Sequence, residues 1–515
     1  MKAPHTYDIL IVGFGPVGML AANLFGKYGL KVAVFERNEK LYDLPRAIHI
    51  DDETMRILQY VGLHQQMLKV CKPVPGMQLV NRQGKVLLET SKAATAGYEA
   101  SYLFFQPDLE EILIKGIERF VNVEVFWGAE VTQVKTQEKQ ATVYIQQGQK
   151  TLSYEGKYVL ACDGANSTVR TLLNLPLKDL KFTRQNLKTD VLLKEPVELP
   201  NWIQKTCEPN RQSHVFLNSF ENHVRWEFSL PKRTPHDKTY WENPDTVRQL
   251  LSLVIDPDKV VPRHVVVYRF ATKIAQQWQQ GAVFLAGDAA HQMPPYIGQG
   301  MCAGFRDVLN LGWKLKLVLQ HEVSPQILQS YPQERMPHVR FVMFVTCWVG
   351  RLFITRWTLL IKTLARIAPQ KWRKVQVPPK KLKKGLFGKS RRLRGHLFPQ
   401  FRVSSHQKTC LIDDCLGDGF NIIGFSHHPQ DYLTEQEVRL LEDLGFQFST
   451  IFEVAPNQDQ DSSLIQDLDN QYKRWFRKHR VDFVIIRPDR YIYDAVPLTS
   501  LSKTIQQLQQ QFSKT

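Results

Sequence analysis

The feature that most constrains the fold of this chain is a strand, a glycine-rich turn, a helix and a second strand near its N-terminus. The apolar run 9–12 predicts a buried strand, which ends in the motif Gly13-Phe14-Gly15-Pro16-Val17-Gly18. An apolar helical pattern follows to about Tyr28, and a second predicted strand over 31–35 ends at Glu36. This order is typical of a nucleotide-binding βαβ unit and predicts an α/β fold.

Each part of this βαβ unit has a physical role in holding a dinucleotide. Gly13 permits a tight turn, Gly15 lets the backbone approach a pyrophosphate, and Gly18 lets the helix pack closely on the strand. The helix N-terminus presents N–H groups and its positive dipole end to the phosphates. Glu36, followed by Arg37, is placed to bind ribose hydroxyls. The unit predicts a dinucleotide that contains ADP and leaves FAD and NAD(P) open; the competing interpretation is a glycine-rich turn in another α/β protein.

The positive charge of the chain is confined to one segment. The formal net charge is +17, but residues 335–412 contain 19 Lys or Arg and no Asp or Glu, so the rest sums to 17 − 19 = −2. No recognisable nucleic-acid module accompanies this charge, so we expect no nucleic-acid partner. The densest part, 371–394, predicts a solvated, flexible connection between domains. The alternative is contact with an anionic membrane face, helped by the amphipathic run before it.

Cysteine usage and the N-terminus indicate a cytoplasmic protein. The seven cysteines show neither metal-ligand spacing nor C-x-x-C, and their number is odd, so we expect free thiols and no bound metal. The chain leads almost directly into the first predicted strand, so we expect no signal peptide. The uncharged apolar run 341–350 is too short to span a bilayer.

Two later motifs repeat the pattern of a strand that ends in a polar turn. The first is Cys162-Asp163-Gly164-Ala165-Asn166-Ser167, for which a simple β-turn is the alternative interpretation. The second follows the predicted strand 282–285 and contains Gly287 and Asp288, after which a Pro- and Gly-rich loop leads to a long helix beginning near Met301. Asp288 suits a ribityl or ribose hydroxyl, and the N-terminus of the helix suits an anionic group such as a reduced flavin.

These three motifs, in this order, resemble those of the class A flavoprotein aromatic hydroxylases. A reductase that binds two dinucleotides would need a second G-x-G-x-x-G, and the sequence contains no convincing one. The resemblance extends over nearly the whole chain to the group of hydroxylases that act on 3-(3-hydroxyphenyl)propionate. It is carried there by PRAIHIDDETMRILQ, FFQPDLEEIL and GHLFPQFRV.

The resemblance implies a Rossmann-like FAD-binding domain, an inserted antiparallel-sheet substrate domain and a C-terminal thioredoxin-like domain. We expect the FAD-binding domain over 1–75, 100–175 and 275–340, the substrate domain over 76–99 and 176–274, a helical and basic connection over 341–400, and the thioredoxin-like domain over 401–515. A separate sheet is a natural wall for a substrate pocket. Cys410 and Cys415 lack C-x-x-C spacing, so we expect the last domain to be a scaffold or a homodimer contact rather than a dithiol enzyme.

The resemblance also implies an activity. NADH or NADPH would reduce FAD, O2 would add at flavin C4a, and the hydroperoxide would transfer a hydroxyl group to the ring carbon ortho to a phenol. The protein would exclude water and orient the ring. The expected substrate is a phenolic acid, 3-(3-hydroxyphenyl)propionate or 3-hydroxycinnamate. The alternatives are the same chemistry on another aromatic or polyketide-like compound, and a membrane-associated flavoprotein oxidoreductase.

Roles for individual residues follow from the resemblance by position. Besides the glycine motif, Glu36 and Arg37, the expected FAD contacts are Arg46, Gln106, Asp163, Gly287, Asp288, Pro295, Gly298, Gly300 and Met301. Pro295 would line the flavin and substrate face. For activation of the phenol the first candidate is His49, with Tyr296 and His291 as weaker ones, and a structural role is the alternative for each. For a substrate carboxylate, the middle domain offers Arg211, Arg225 and Arg269, among which the sequence does not choose.

Overall fold

The structure, a computed structural model, describes residues 5–41, 47–81, 83–92, 94–206, 214–218, 222–231, 237–354, 374–377, 381–453 and 464–513. The chain divides into two compact units, each of which is described by itself. Unit 1 comprises Met1–Ala93, Glu99–Phe305 and Val339–Pro378, and unit 2 comprises Ala94–Tyr98, Arg306–His338 and Pro379–Thr515.

The described helices and strands are as follows. The helices are α1 (Pro16–Lys27), α2 (Asp52–Tyr60), α3 (His64–Lys69), α4 (Gln106–Ile117), α5 (Thr168–Leu172), α6 (Lys238–Glu242), α7 (Pro244–Leu251), α8 (Gly300–Gln320), α9 (Ser330–Ile354), α10 (Glu435–Asp443), α11 (Gln471–His479) and α12 (Leu501–Phe512). The strands are β1 (His5–Val12), β2 (Val32–Glu36), β3 (His49–Asp51), β4 (Cys71–Pro73), β5 (Met77–Val80), β6 (Val86–Lys92), β7 (Ser101–Phe104), β8 (Val123–Trp127), β9 (Ala129–Thr136), β10 (Ala141–Gln147), β11 (Lys150–Ala161), β12 (Leu177–Leu193), β13 (Ile203–Thr206), β14 (His214–Asn218), β15 (His223–Ser229), β16 (Val260–Ala275), β17 (Gln279–Gln280), β18 (Val283–Leu285), β19 (His291–Gln292), β20 (Lys374–Val377), β21 (Arg402–Ser405), β22 (Lys408–Leu411), β23 (Asn421–Phe425), β24 (Gln447–Phe452), β25 (Leu464–Asp467), β26 (Phe483–Ile486) and β27 (Ile492–Val496).

A mostly parallel sheet in unit 1 carries the predicted βαβ unit. Its described strands run in the order β17-β18-β11-β1-β2-β8, and β10 and β9 extend it from β11. The central strand β1 is parallel to both β11 and β2, and its residues Ile9, Leu10 and Ile11 are fully buried. Parallel strands of this kind are covered on both faces, which explains the unbroken apolar run. The carboxyl ends of β1, β2, β11 and β18 meet at one edge of the sheet, and all three sequence motifs begin there.

A second sheet in unit 1 has two different faces. Its described strands run in the order β19-β16-β12-β15-β14-β13-β5-β6-β20, and β16, β12, β15 and β14 are antiparallel. On one face, Leu187, Trp226 and Phe228 pack against Trp241 and Val247 of α6 and α7 in an apolar cluster. Because side chains alternate along a strand, the residues between them project to the opposite face. The predicted inserted antiparallel sheet is thus confirmed, and its opposite face belongs to the candidate active site.

The C-terminal sheet of unit 2 has a thioredoxin-like strand order. Its described strands run β22-β21-β25-β24-β23-β26-β27, in which β23, β24 and β25 are parallel and β26 and β27 form an antiparallel pair. Consecutive residues of the central strand β23 enter different apolar clusters, Ile422 with Ile485 and Ile423 with Ile486. The sheet is therefore covered on both faces, as expected for the predicted thioredoxin-like domain.

Unit 2 also contains a fully buried group of charged side chains. The Glu334 Oε2 atom lies 2.7 Å from an Arg487 guanidinium nitrogen and 3.1 Å from Lys314 Nζ, and Arg487 also binds Asp489 at 2.6 Å. Asn310 donates a further hydrogen bond to Glu334 at 2.7 Å. Burial acts to raise the pKa of Glu334, but the adjacent cations lower this pKa to about 2. Burial lowers the pKa of Lys314 to about 8.

Residues 381–394 pack into unit 2 and do not form the predicted flexible connection. Leu382, Leu386 and Phe387 are 1 to 7% exposed. The backbone N–H of Leu386 donates to Glu334 Oε1 at 2.9 Å. The expectation of a solvated connection is therefore wrong for this stretch, because its apolar residues alternate with the cations and enter the core. Residues 371–373 and 378–380 of the same segment lie outside the described residues.

Two cysteines of unit 2 are neighbours in space despite their spacing. The sulfur atoms of Cys410 and Cys415 lie 3.3 Å apart, and both cysteines are free thiols. Burial raises the pKa of each thiol, so little of the nucleophilic thiolate is present at neutral pH.

Among the described helices, none is both long enough and apolar enough to cross a membrane.

Candidate active site

The glycine turn after β1 is in direct contact with the second sequence motif. Gly13 has φ +95°, a conformation that L side chains rarely adopt. A Cβ at this position would lie 2.6 Å from the carbonyl oxygen of Cys162 and 2.7 Å from Cα of Asp163, and a Cβ on Gly18 would overlap the Gly13 carbonyl oxygen. In contrast, a Cβ built on Gly15 meets no atom within 4 Å. The backbone of Gly15 is therefore open to a ligand.

The acidic residue at the end of β2 closes the other side of this turn. Glu36 Oε2 accepts a hydrogen bond from the backbone N–H of Phe14 at 2.8 Å, and its Oε1 accepts one from the Asn38 N–H at 3.0 Å. Pro16 occupies the first turn of α1, where a missing N–H costs nothing. Arg37 is exposed beside the carboxylate. The turn, the helix N-terminus and the carboxylate thus form one continuous edge.

The second motif places a buried carboxyl group at the same edge. Asp163 Oδ2 accepts a hydrogen bond from the Val169 N–H at 3.0 Å, whereas its buried Oδ1 makes no hydrogen bond to the described residues. Burial raises the pKa of Asp163, although these hydrogen bonds and Arg170 oppose the shift. Arg170 donates to the carbonyl oxygen of Ala289 at 2.9 Å, which ties the second motif to the third.

The third motif completes the edge from β18. Gly287 has φ +59°, and a Cβ there would lie 3.2 Å from a methyl group of Val17, which also packs against Gly304 of α8. The following residue, Asp288, is exposed. The edge therefore combines open glycine backbone, a buried carboxyl oxygen and an exposed carboxylate, which is the donor and acceptor set that a pyrophosphate and its sugar hydroxyls require. These residues fit an FAD.

The loop between β19 and α8 is held by His49. The loop contains a tight turn, Pro295–Ile297, and Gly298 with φ +61°. His49 Nδ1 lies 3.3 Å from the Gly298 carbonyl oxygen, and His49 Nε2 lies 2.5 Å from Ser101 Oγ. A carbonyl oxygen only accepts hydrogen bonds, so Nδ1 carries the hydrogen and Nε2 accepts from the hydroxyl group. The imidazole is thus a clamp on the loop.

Further contacts fix the end of this loop. The Gln299 amide donates to Asp51 Oδ2 at 3.1 Å. Helix α8 begins at Gly300, and Met301 lies in its first turn, which agrees with the predicted start of the helix.

Gln106, at the start of α4, holds the backbone next to the predicted contact Arg46. It accepts a hydrogen bond from the Ala47 N–H at 2.5 Å. Arg46 itself lies outside the described residues.

Tyr296 joins the loop to the second sheet. Its ring packs edge-on against Phe182 and Phe270, with centroids 6.1 and 5.5 Å away. Burial raises the pKa of the Tyr296 hydroxyl well above its ordinary value. Lys205 Nζ lies 4.8 Å from the centroid of the Tyr296 ring, and Lys205 is only 1% exposed. A buried cation therefore lies directly beside the predicted flavin loop.

The face of the second sheet that carries Lys205 is polar and buried. Pairing across strands places Glu227 opposite Lys188 and Arg225 opposite Asp190. Arg225 Nε lies 2.5 Å from Asp190 Oδ1, and Lys188 Nζ lies 3.7 Å from Asp190 Oδ2. Burial acts to raise the pKa of Asp190, but hydrogen bonds from His264 and Arg225 outweigh it and lower this pKa.

A tyrosine–carboxylate pair occupies the centre of this polar face. The Tyr268 hydroxyl donates to Glu227 Oε2 at 2.8 Å, and the Asn186 amide lies 3.4 Å from the same hydroxyl. Burial and the Glu227 charge raise the pKa of Tyr268 far above its ordinary value, so the phenol stays protonated. The face offers cations, carboxylates and a hydroxyl group in an enclosed setting, where electrostatic interactions are stronger than in water.

The remaining candidates from the sequence lie in different surroundings. His291 is fully buried and its ring lies 5.3 Å from that of Trp278, so it is part of the core. Arg225 already binds Asp190 at two positions, and Arg269 is exposed. Arg211 lies outside the described residues. Of the two described arginines, Arg225 is held by Asp190 and Arg269 is exposed, whereas Lys205 lies beside the loop.

Sequence reasoning missed Lys205, Ser101 and the Tyr268–Glu227 pair. The alternation of polar and apolar residues along β12 and β15 was visible, but it is the same signal that a strand with one solvated face gives. Only the tertiary structure shows that both faces are covered. Ser101 carries no local signal, because its role depends on the pairing of β3 with β7.

Two family descriptions match this chain in sequence. Residues 6–345 match the family described as FAD binding domain. Residues 395–511 match the family described as HcaD C-terminal domain. The first match covers more than half of the chain and includes all three motifs of the cofactor edge, which is the sheet edge formed by residues 13–18, Glu36, Asp163, Gly287 and Asp288.

Curated relatives match the chain over nearly its full length. A probable NADH-specific resorcinol 4-hydroxylase of Rhodococcus jostii (strain RHA1) is 33% identical over 518 residues, covering 97% of this chain and 94% of that protein. The 3-(3-hydroxy-phenyl)propionate/3-hydroxycinnamic acid hydroxylase of Escherichia coli (strain K12) is 29% identical over 529 residues, covering 98% and 94%.

Solved structures share the fold over the whole chain. A flavin-dependent monooxygenase in complex with FAD and substrate matches with TM-score 0.79 and 18% identity, covering 99% of this chain and 100% of that one. Aklavinone-11 hydroxylase in complex with FAD and aklavinone matches with TM-score 0.77 and 17% identity, covering 99% of each. With the family match and the motifs of the cofactor edge, these similarities lead to one conclusion: the chain belongs to the FAD-dependent aromatic hydroxylases.

Proposed function

We propose that this hydroxylase acts on a phenolic acid, 3-(3-hydroxyphenyl)propionate or 3-hydroxycinnamate, and adds a hydroxyl group ortho to the existing one. NADH or NADPH serves as reductant and O2 as the second co-substrate. The observation that carries the proposal is Lys205, a buried cation 4.8 Å from the Tyr296 ring centroid. A buried cation beside an aromatic wall suits a substrate that has a carboxylate at one end and a ring at the other.

The cofactor edge is assigned to FAD. In this proposal Gly13, Gly15 and Gly18 hold the pyrophosphate, Glu36 holds the adenosine ribose, and Asp288 holds the ribityl chain. Bound FAD would accept a hydride from NAD(P)H and, once reduced, would activate O2. The chain's own task is to orient the substrate ring and to exclude water. The other residues assigned to FAD are Phe14, Pro16, Val17, Arg37, Gln106, Asp163 and Gly287, together with Arg46, which lies outside the described residues.

The loop over Pro295, Gly298, Gly300 and Met301 is assigned to the isoalloxazine ring, toward which it offers backbone groups. We assign His49 to holding this loop, since both of its ring nitrogens have protein partners. Tyr296 and Pro295 form the wall between the loop and the polar face. The Tyr268–Glu227 pair is placed to orient a phenolic hydroxyl group, because Glu227 is a hydrogen-bond acceptor inside the enclosed face.

A phenol without a carboxylate is the second candidate substrate. It is favoured by the relative named as a probable resorcinol 4-hydroxylase, which is 33% identical to this chain. Under this alternative, Lys205 would neutralise the carboxylates of the polar face and would not contact substrate. A polyketide-like aromatic is the third alternative, since aklavinone-11 hydroxylase shares the fold.

A substrate screen tests the proposal directly. The holoenzyme is mixed with NADH or NADPH and with 3-(3-hydroxyphenyl)propionate, 3-hydroxycinnamate, resorcinol or phenol, and both cofactor oxidation and product mass are followed. We expect coupled gain of one oxygen atom on the acids. Oxygenation of resorcinol with no oxygenation of either acid would overturn the substrate assignment, and cofactor oxidation that yields only peroxide with every phenol would overturn it as well.

A further inference from the structure

Helix α9 presents an aromatic stripe to solvent. Phe341, Phe344 and Trp348 are 58, 66 and 55% exposed, and their spacing of three and four residues puts them on one face of the helix. The opposite face is buried through Val342 and Met343, which are 3 and 0% exposed. A helix on a protein surface ordinarily has polar residues on its outer face. Here three successive outward positions are large aromatic residues.

The charged residues next to this stripe in the sequence are all cationic. Arg340 and Arg351 are exposed at its two ends. Residues 335–412 contain 19 Lys or Arg and no Asp or Glu. Five of these cations belong to residues 355–373, which follow α9 directly in sequence and lie outside the described residues. The aromatic stripe is therefore embedded in a stretch of chain that offers positive charge only.

We propose that the α9 surface, defined as Arg340, Phe341, Phe344, Trp348 and Arg351, docks on the headgroup region of an anionic lipid bilayer. Tryptophan and phenylalanine favour the boundary between headgroups and acyl chains, and arginine keeps its charge among the phosphates while its stem lies along the apolar surface. The helix lies along the membrane, since no described helix is apolar and long enough to span it.

Charge selects a bilayer over a second copy of this chain as the occupant. Pairing two α9 surfaces would bring together two segments that lack acidic residues, and the like charges would repel. An anionic leaflet supplies the missing negative charge and attracts nearby Lys and Arg residues. The proposal does not depend on which substrate the enzyme uses. It assigns the enzyme to the surface of an anionic membrane.

Vesicle co-sedimentation of the full-length holoenzyme tests the proposal. Vesicles of phosphatidylcholine alone are compared with vesicles that also contain phosphatidylglycerol, at low and at high salt. We expect binding to the anionic vesicles only, and weaker binding at high salt because the Debye length is shorter. The triple variant F341S/F344S/W348S should reduce the partition coefficient at least about tenfold, since three large apolar side chains no longer enter the interface. NADH oxidation and FAD content should stay unchanged.

The matched control replaces exposed apolar residues elsewhere in unit 1. Val121 and Leu253 are 102 and 60% exposed, so the variant V121S/L253S removes apolar surface without touching α9. This control should bind vesicles like the parent enzyme. Absence of binding by the parent enzyme, or equal binding by the triple variant, would overturn the proposal. If the parent enzyme does not bind vesicles, and sedimentation velocity shows that the triple variant has lost a homodimer, the α9 surface would instead be assigned to contact with a second copy of this chain.

Discussion

The Nδ1 atom of His49 lies 3.3 Å from the carbonyl oxygen of Gly298, and a Cβ on Gly298 would lie 2.6 Å from the same nitrogen. The loop that precedes α8 is thus positioned by an imidazole from a strand 249 residues earlier in the sequence. Because a carbonyl oxygen needs a donor, the clamp requires an N–H group at the position of Nδ1. Activity should therefore be sensitive to loss of this hydrogen bond.

Replacement of His49 separates a positioning role from a proton-transfer role. The Asn amide nitrogen mimics Nδ1, so His49→Asn should retain coupling of NADH oxidation to hydroxylation. His49→Gln places its amide elsewhere, and we expect it to lower kcat roughly ten- to hundredfold and to raise peroxide release, because a displaced loop loses its catalytic geometry. The measurements are kcat, product yield per NADH and the pH profile. Equal loss in both variants, with one arm missing from the pH profile, would show that His49 exchanges protons with substrate.

Gly15→Ala tests the cofactor edge without disturbing the protein itself. The residue has φ −77° and no atom lies within 4 Å of its added Cβ, so the apoprotein should unfold at an unchanged midpoint. The same methyl group would occupy the approach to the pyrophosphate, and we expect FAD affinity to fall roughly 10- to 100-fold, or about 1.4 to 2.7 kcal/mol. Flavin fluorescence titration measures this. The control is Gly84→Ala, in a hairpin, where an added Cβ likewise meets no atom within 4 Å although φ is +75°. This variant should keep the full affinity for FAD.

Lys205→Met tests recognition of the substrate carboxylate. Loss of a charge-assisted hydrogen bond costs about 1.5 to 3 kcal/mol, so KM for the phenolic acid should rise roughly ten- to hundredfold while KM for resorcinol stays nearly constant. Lys178→Met, an exposed position on β12, is the control and should change neither. An equal rise in KM for the phenolic acid and for resorcinol would mean that Lys205 maintains the polar face and does not bind the substrate carboxylate.

The buried charges of unit 2 should make the protein sensitive to acid. The pKa of Glu334 is about 2 in the folded protein and 4.5 ordinarily, so the unfolded chain binds the proton more readily. This carboxylate stabilises the fold above pH 4.5, and its contribution is lost progressively as the pH falls from 4.5 toward 2. Glu334→Gln removes the carboxylate beside Lys314 and leaves Arg487 with Asp489 alone, so it should cost about 3 to 5 kcal/mol at neutral pH.

Urea unfolding between pH 3 and 7 measures this acid sensitivity. The parent protein should lose stability more steeply below pH 4.5 than the Glu334→Gln variant does. Glu435→Gln removes one partner of an exposed pair with Arg439 and should leave the curve almost unchanged. Identical slopes for the parent and the Glu334→Gln variant would contradict the buried position of the carboxylate.

The cofactor edge was predictable from sequence because each of its parts is local. Gly13, Glu36 and Gly287 each lie at or just after the end of a strand, and parallel strands bring their carboxyl ends to one edge. The start of α8 at Gly300 was likewise signalled by the glycines before it. Such features depend on backbone geometry within a few residues, which sequence patterns report well.

The substrate side was not predictable to the same degree, because its contacts are between distant strands. Lys205 meets Tyr296 only because β13 has joined the sheet and the loop before α8 packs beside it. Arg225 was one of three arginines among which the sequence did not choose, and the residue that binds it, Asp190, lies 35 residues away. The basic segment misled in a similar way, since Leu386 is buried in an apolar cluster with Trp313 and Tyr493, which are distant from it in sequence.

The two faces of the second sheet give alternate residues of the same strand different roles. Along β12, Leu187 and Val191 support the fold through α6 and α7, while Lys188 and Asp190 face the enclosed polar side. Under the proposed function, substitution of Lys188 or Asp190 would alter which aromatic compound is accepted, while Leu187 and Val191 would keep the scaffold in place. Redesign of this enzyme toward another substrate would therefore vary only every second residue of the strand.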